Sequence, residues 1–252
     1  MAVETAPEAA LSVLPRADGS ATFSYGGFTV TASVNGPVEA QRRDEHPYEA
    51  HVDVIVRPAA GVGGIRERHL ESLLQASLSQ IILVKNFPRS LIQIVLQIEE
   101  TPVNDYANTR LVQAGINLPV IPSLFQAAVL ALLSASVPMG GTAAATLVAA
   151  LPERHGDRFR FNPSPKDLAK SKSVHALAFA SDGALLLAES EGEFSMNDWE
   201  DVVALAEKIC CGSAAEAAAG MVLDDETRHG PDMRQFIQST IETKVKADLY
   251  WK

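Results

Sequence analysis

Clustered cations are the side chains in this sequence best suited to chemistry. Arg66, Arg68 and His69 lie within one turn of each other, and Lys85 and Arg89 follow further along. Guanidinium and ammonium groups grouped this way suit the holding of phosphate. They form the one local basic face that could meet nucleic acid, although arginines so placed also serve in surface or intersubunit salt bridges. Other groups offer less. Asp167 stands among Lys166, Lys170 and Lys172 without a second carboxylate, and a divalent ion needs several oxygen ligands. His46 and His51 flank Tyr48 with no third ligand, which favours surface or sheet histidines over a metal pair. His175 follows Val174 in an apolar run and reads as a strand histidine bonded locally. Cys210 and Cys211 are adjacent; a vicinal disulfide is strained and two thiols cannot complete a zinc site. They read as reduced, buried thiols of an intracellular protein. Asp224, Asp225 and Glu226 read as a solvated turn. No metal site and no cofactor is expected.

The elements that must carry these residues follow from periodicity. Residues 1–16 are Ala- and Pro-rich and are expected to be a flexible N-terminal segment. Two β-rich runs, 21–25 and 28–34, flank Gly26 and Gly27, a hairpin signal. Asn35, Gly36 and Pro37 are expected to end the second strand, with a charged loop over 39–49 and a further strand over 51–57. Leu70, Leu73, Leu74, Leu78, Ile81 and Ile82 recur three and four apart, so 65–84 reads as an amphipathic helix. Phe87, Pro88 and Arg89 break it before a buried strand over 90–98 and a polar loop over 99–110.

Residues 123–135 are almost wholly apolar, which marks a buried central helix. A strand over 140–150, an edge strand over 157–161 and a hairpin of 174–180 with 184–189 about Asp182-Gly183 follow. Ser195 caps a helix expected to reach about Ala219, with Asp198 as the acid of its capping box and Trp199 as a packing anchor. A break over 220–231 precedes a polar helix over 232–249 whose lysines come late, where the macrodipole favours them. The order predicts an α+β, or mixed α/β, domain of mixed sheets packed on helices.

With 252 residues, 47% of them hydrophobic, the chain can build a substantial core. A net charge of −10 argues against nucleic-acid binding over the whole surface. The first ten residues hold two glutamates and no basic cluster, so no signal peptide is expected. The longest apolar stretch, 124–137, is too short and too polar to span a bilayer, and no membrane association is expected.

Several stretches together resemble the RNase PH family. Phe28 to Pro37 resembles its opening hairpin, Gly-x-Thr-x-Val-x-Ala-x-Val-x-Gly-Pro. Arg66, Glu67 and Arg68, the helix after them, and Phe87-Pro88-Arg89-Ser90-Leu91-Ile92 resemble its next helix and Pro-Arg-Ser/Thr-x-Ile strand. Ala127 to Leu132 with Val137-Pro138-Met139 resembles its Ala-rich helix and exit. The resemblance covers residues 17–220, leaving 221–252 as a C-terminal helical extension. It implies an RNase PH-like fold with a ribosomal-protein-S5-like β-α-β core. Residues 16–21, 162–164 and 190–195 resemble the eukaryotic RNA exosome's ring subunits more than bacterial enzymes.

Phosphorolytic cleavage of RNA needs backbone N–H groups and an arginine to hold inorganic phosphate, and carboxylates to hold a divalent ion. The family supplies Asp-Gly-Gly-Thr-Arg-Thr before its buried helix and two aspartates near a later strand. Here the first stretch is Ala114 to Ser123, with Ile121 near the arginine position, one glycine at Gly115, and prolines at 119 and 122. The aspartate positions fall near Leu168 and Val174.

The resemblance therefore implies a non-catalytic subunit in a hetero-hexameric ring of RNase PH-like chains. Such a ring meets cap subunits with S1 and KH domains and threads RNA to a separate nuclease, in the nucleus, nucleolus and cytoplasm. Arg66, Arg68, Lys85 and Arg89 are the candidate RNA-channel residues; no residue is assigned to catalysis or to a metal. The alternative is an active phosphate-dependent 3'-5' exoribonuclease, alone or with a site completed by a partner. A third reading is an unrelated RNA- or ribosome-associated protein sharing the β-α-β core.

Overall fold

The Gly26-Gly27 pair turns the chain as the sequence predicts: both glycines have positive φ, 61° and 83°, and the strands on either side pair from Gly19↔Val34 to Tyr25↔Phe28. The computed structural model describes residues 6–102, 118–151, 158–211 and 232–250. In the hairpin β2 is Gly19–Tyr25 and β3 is Phe28–Glu39. The third strand does not stop at Asn35 as expected. A bulge between Asn35 and Val38 absorbs Gly36 and Pro37, and pairing resumes at Val38↔Leu91. Gly36 permits this: its φ is 140°, and a Cβ there would lie 2.7 Å from the carbonyl oxygen of Leu91. Pro37 has no N–H to lose at a bulge.

The N-terminal segment also departs from expectation. Within the stretch expected to be flexible, Glu8–Leu11 forms β1, antiparallel to β2. Ala9 and Leu11 alternate onto the core, which gives a four-residue strand enough apolar contact to hold the edge.

Strand β4 (His51–Arg57), helix α1 (Ile65–Ile81), a 3-10 turn (Val84–Asn86) and β5 (Ser90–Glu100) make a parallel crossover. The first sheet has the order β1-β2-β3-β5-β4. One face is a continuous apolar surface of Phe23, Val30, Val34, Val54, Ile94 and Leu96. The free edge of β4 is sealed by α1: Glu71 Oε1 accepts from the Val56 N–H at 3.0 Å, and Gln75 Nε2 donates to the Val52 carbonyl at 2.7 Å.

Helix α2 (Ile121–Ser134) is the buried helix that its composition foretold, packed against β2, β3 and β6. Its last turn approaches β2 so closely that a Cβ on Gly19 would stand 2.3 Å from the Ala135 nitrogen. The second sheet is antiparallel with the order β7-β6-β8-β9. Its strands are β6 (Ala143–Ala150), β7 (Phe159–Phe161), β8 (Ser173–Ala180) and β9 (Leu185–Gly192), with a short helix α3 (Pro165–Leu168) between β7 and β8. All eight residues of β6 are buried, so both its faces are covered. Helix α2 covers one, and α4 (Met196–Cys211) packs with it against the other.

Ser195 caps α4 as expected, its Oγ accepting from the Asp198 N–H at 3.2 Å while Asp198 accepts from the Ser195 N–H at 3.0 Å. The expected extension to Ala219, the break after it and the acidic turn at 224–226 lie outside the described residues. Helix α5 (Met233–Asp248) starts at Asp232, whose side chain accepts from the N–H groups of Arg234 and Gln235. It docks on its own chain. Met233 and Ile237 are buried, and Phe236 meets Phe23 edge-on at 6.0 Å. No helix among the described residues is long and apolar enough to cross a membrane.

Candidate functional site

The start of α2 is where the sequence placed a degraded phosphate cradle. A 3-10 turn, Leu118–Val120, leads into the helix, Val120 stands at the N-cap without a side-chain cap bond, and Pro122 removes an amide from the first turn. Ile121 is 1% exposed and belongs to the core, as do Leu118 and Val120. Ile121, which the sequence places near the family's arginine, is thus an aliphatic side chain sealed from solvent. Residues 114–117 lie outside the described set.

The second position is as tightly committed to other contacts. Asp167 accepts from the Ser164 hydroxyl at 2.7 Å and pairs with Arg160 at 3.6 Å. The Ser164 hydroxyl first, then Arg160, the Ser164 N–H and Lys170, outweigh partial burial and hold its carboxyl below the usual range. Leu168 and Val174, near which the sequence places the family's two aspartates, are half-buried against the core. Among the described residues no three His, Cys, Asp or Glu side chains are grouped to hold a metal ion.

The four candidate channel residues separate into two sets. Arg66 and Arg68 begin α1, whereas Lys85 and Arg89 lie beyond its other end. A 17-residue helix puts roughly 25 Å between the sets. Arg66 turns back on Glu67: its Nε and Nη2 each lie 3.1 Å from Glu67 Oε1, and its side chain is only 16% exposed. Glu67 is the N3 acid of α1 and accepts from the Gly64 N–H at 2.6 Å. Burial opposes the charge on Glu67, but the N–H groups of Gly64 and Glu67 and the Arg66 guanidinium together hold its carboxyl below the ordinary range.

Arg68 and His69 project into solvent, as does Lys85. Arg89 is exposed, adopts a φ of 61°, and pairs with Glu45 at 3.4 Å while its N–H donates to the His46 carbonyl at 3.0 Å. The helix binds these cations into no single face.

His46 and His51 stack at 5.7 Å between ring centroids, against the same turn that holds Arg89. His175 is fully buried, with Nε2 2.9 Å from the Ser173 hydroxyl and Nδ1 2.8 Å from that of Ser190. Phe194 and Trp199 enclose its ring, and burial pulls its pKa down. It is the local strand histidine read from the sequence. Cys210 is buried and its thiol is pushed far up by desolvation; Cys211 donates to the Ala180 carbonyl at 3.4 Å.

One feature escaped the sequence reading. Lys166, Lys170 and Lys172 enter the sequence analysis as the surroundings of Asp167 and are given no binding role of their own. Counting charge from 158 to 173 finds five cationic side chains and one carboxylate, a signal present in the sequence all along.

The description "3' exoribonuclease family, domain 1" matches residues 7–138. The chain is 32% identical over 209 residues to the exosome complex component RRP46 of Saccharomyces cerevisiae, covering 81% of this chain and 89% of that protein. The fold is similar to the crystal structure of rice (Oryza sativa) Rrp46, with a TM-score of 0.70 and 21% identity over 93% of this chain and 94% of that one. An archaeal exosome core chain shares it with a TM-score of 0.62 and 12% identity over 84% of this chain and 85% of that one.

Proposed function

The chain belongs to the RNase PH family of 3' exoribonucleases, and from that premise we propose that it is a ring subunit of an RNA exosome that does no phosphorolysis of its own. Identity of 32% to an exosome component over 81% of the chain carries the first part of the reading. A six-membered ring of RNase PH-like chains closes through heterologous contacts. Cap subunits with S1 and KH domains sit on one face, and RNA passes through the opening to a separate nuclease in the nucleus, nucleolus and cytoplasm. In this role Arg68, Lys85 and Arg89 supply exposed positive charge to passing phosphates, while Arg66 secures the start of α1.

The non-catalytic part is supported by Ile121. An apolar side chain sealed into the core at 1% exposure cannot present a cation to phosphate. The lone carboxylate Asp167 is committed to Ser164 and Arg160. The family's name favours a second reading, an exoribonuclease whose site a partner completes.

Two measurements test these. Mass spectrometry of the native complex purified through this chain should find RNase PH-like neighbours; a chain recovered without them sinks the ring assignment. Incubating the chain, and then its pair with a ring neighbour, with RNA and inorganic phosphate should release no nucleoside diphosphates. Release by the pair alone would establish the completed-site reading.

A further inference from the structure

The segment from 158 to 173 departs from the acidic character of the chain. Arg158, Arg160, Lys166, Lys170 and Lys172 face one carboxylate there, Asp167, in a protein of net charge −10. The fold gathers them at one end of the second sheet. Leu151 N–H donates to the Arg158 carbonyl at 2.9 Å, and Lys172 N–H donates to the adjacent Ala150 carbonyl at 2.8 Å. Arg158 and Lys172 thus flank the end of β6 from opposite sides, about two strand spacings or 10 Å apart. Between them runs α3, which carries Lys166 and passes directly into Lys170 through the Lys170 N–H to Asp167 carbonyl bond at 3.0 Å.

Three nearby carboxylates are already engaged. Asp167 is held by Ser164 and Arg160. Asp198 and Asp201 pair with Arg158. Glu193, whose N–H donates to the Lys172 carbonyl at 3.1 Å, makes no ion pair with it. Lys166, Lys170 and Lys172 are exposed and have no ion-pair partner among the described residues. Aromatic rings interleave with the charge: Phe159 and Phe161 alternate with the arginines along edge strand β7, and the Arg158 guanidinium lies 5.3 Å from the Phe159 ring centre. Phe159 and Phe161 pack against the core and leave Arg160 exposed between them; the exposed ammonium groups suit the phosphates of a flexible single strand.

We infer that the edge formed by β7, α3 and the start of β8 is a binding surface for single-stranded RNA, gripping phosphates through Lys166, Lys170 and Lys172 without cleaving them. This rests on the RNA-handling role proposed above, but on cations distinct from Arg68, Lys85 and Arg89.

The test compares the chain with the triple variant Lys166→Gln, Lys170→Gln, Lys172→Gln and with an equally neutralised control at exposed cations elsewhere, Arg42→Gln, Arg43→Gln, Lys246→Gln. Fluorescence anisotropy with a labelled oligouridylate reads affinity against salt. The patch variant should bind at least tenfold more weakly in low salt. Its log–log salt slope should be shallower by about 2, as loss of three phosphate contacts to a single strand requires; the control should change less. An intact thermal transition in circular dichroism certifies the fold.

A wild-type chain that does not bind the oligonucleotide, or a patch variant that binds it undiminished, overturns the inference. So does a patch that loses poly-glutamate binding but not RNA, which would mark an acidic polypeptide as its partner. Recovery of ring neighbours with the same variant reads the exosome assignment separately, because the binding assay needs no ring.

Discussion

Lys244 Nζ lies 3.0 Å from both the carbonyl oxygen and the hydroxyl of Ser134, joining the late part of α5 to the last residue of α2. A cation placed there meets the negative end of the helix macrodipole and satisfies a carbonyl that the helix leaves unpaired. This polar contact adds to the apolar docking of the C-terminal helix, as does the Arg234 Nη1 to Cys211 carbonyl bond at 2.9 Å at the end of α4.

Lys244→Met keeps the aliphatic stem and removes the charge. It should cost about 1–2 kcal/mol, read as a lower urea midpoint with unchanged slope. Lys246→Met removes only an exposed pair with Glu242 and should cost no more than about 0.5 kcal/mol. Equal effects would show that the Ser134 contact contributes nothing special.

The seal on β4 makes a second prediction. Glu71→Leu strips the Val56 N–H of its only acceptor on that side, at a cost of about 1–3 kcal/mol for a buried unpaired donor. It also reopens a strand edge to pairing with other chains. Faster hydrogen exchange at Val56 and greater aggregation on mild heating should accompany the loss; an unchanged Val56 exchange rate would remove the edge-sealing role.

Periodicity made most of this architecture legible. Leu70, Leu74 and Leu78 placed α1, and the almost wholly apolar run after Ser123 placed α2, because burial is written in the spacing of side chains. What it could not reveal depends on tertiary contact. Gly36 and Pro37 look like a strand end, and only the pairing of Val38 with Leu91 shows that they form a bulge. Glu8–Leu11 is too short to announce itself, and gains its strand from β2. The pairing of Arg66 with the adjacent Glu67 is not legible either, because spacing alone leaves phosphate contact and a salt bridge equally open. The four candidate cations read as one face because sequence proximity hides the length of the helix between them.

His175 supplies a pH prediction. Burial lowers its pKa from the ordinary 6.5, so the folded state keeps it neutral where the unfolded chain has begun to bind a proton. At higher pH neither state holds the proton and stability is unaffected. As pH falls through 6.5, the unfolded state gains protons first and stability declines, until the depressed folded pKa is reached. In His175→Asn that part of the decline should vanish, although the variant starts less stable for losing its Ser173 and Ser190 bonds. Urea melts from pH 7.5 down to 5 read the slope; parallel curves for the two proteins would mean the ring titrates normally.

The last prediction concerns whether the phosphate site could be restored. Ile121→Arg puts a guanidinium near the place where the sequence expects the family's arginine. If the surrounding pocket were still open, the new guanidinium would reach solvent and inorganic phosphate would stabilise the variant against heat. The pocket is closed: Leu118, Val120 and Leu124 fill the neighbourhood, and Ile121 itself is 1% exposed. A buried unpaired guanidinium costs several kcal/mol, about 3–5 when no partner charge is near, and replacing a well-packed isoleucine adds strain. The variant should therefore melt far below the parent or fail to fold, and phosphate should not rescue it. Ile121→Val, which trims one methylene, should cost only about 0.5–1.5 kcal/mol and so separates charge burial from simple disturbance of the helix. A stable, phosphate-responsive Ile121→Arg protein would mean that the cradle survives as a cavity and lacks only its arginine; an unfolded one means that the core has grown into the space the phosphate once needed.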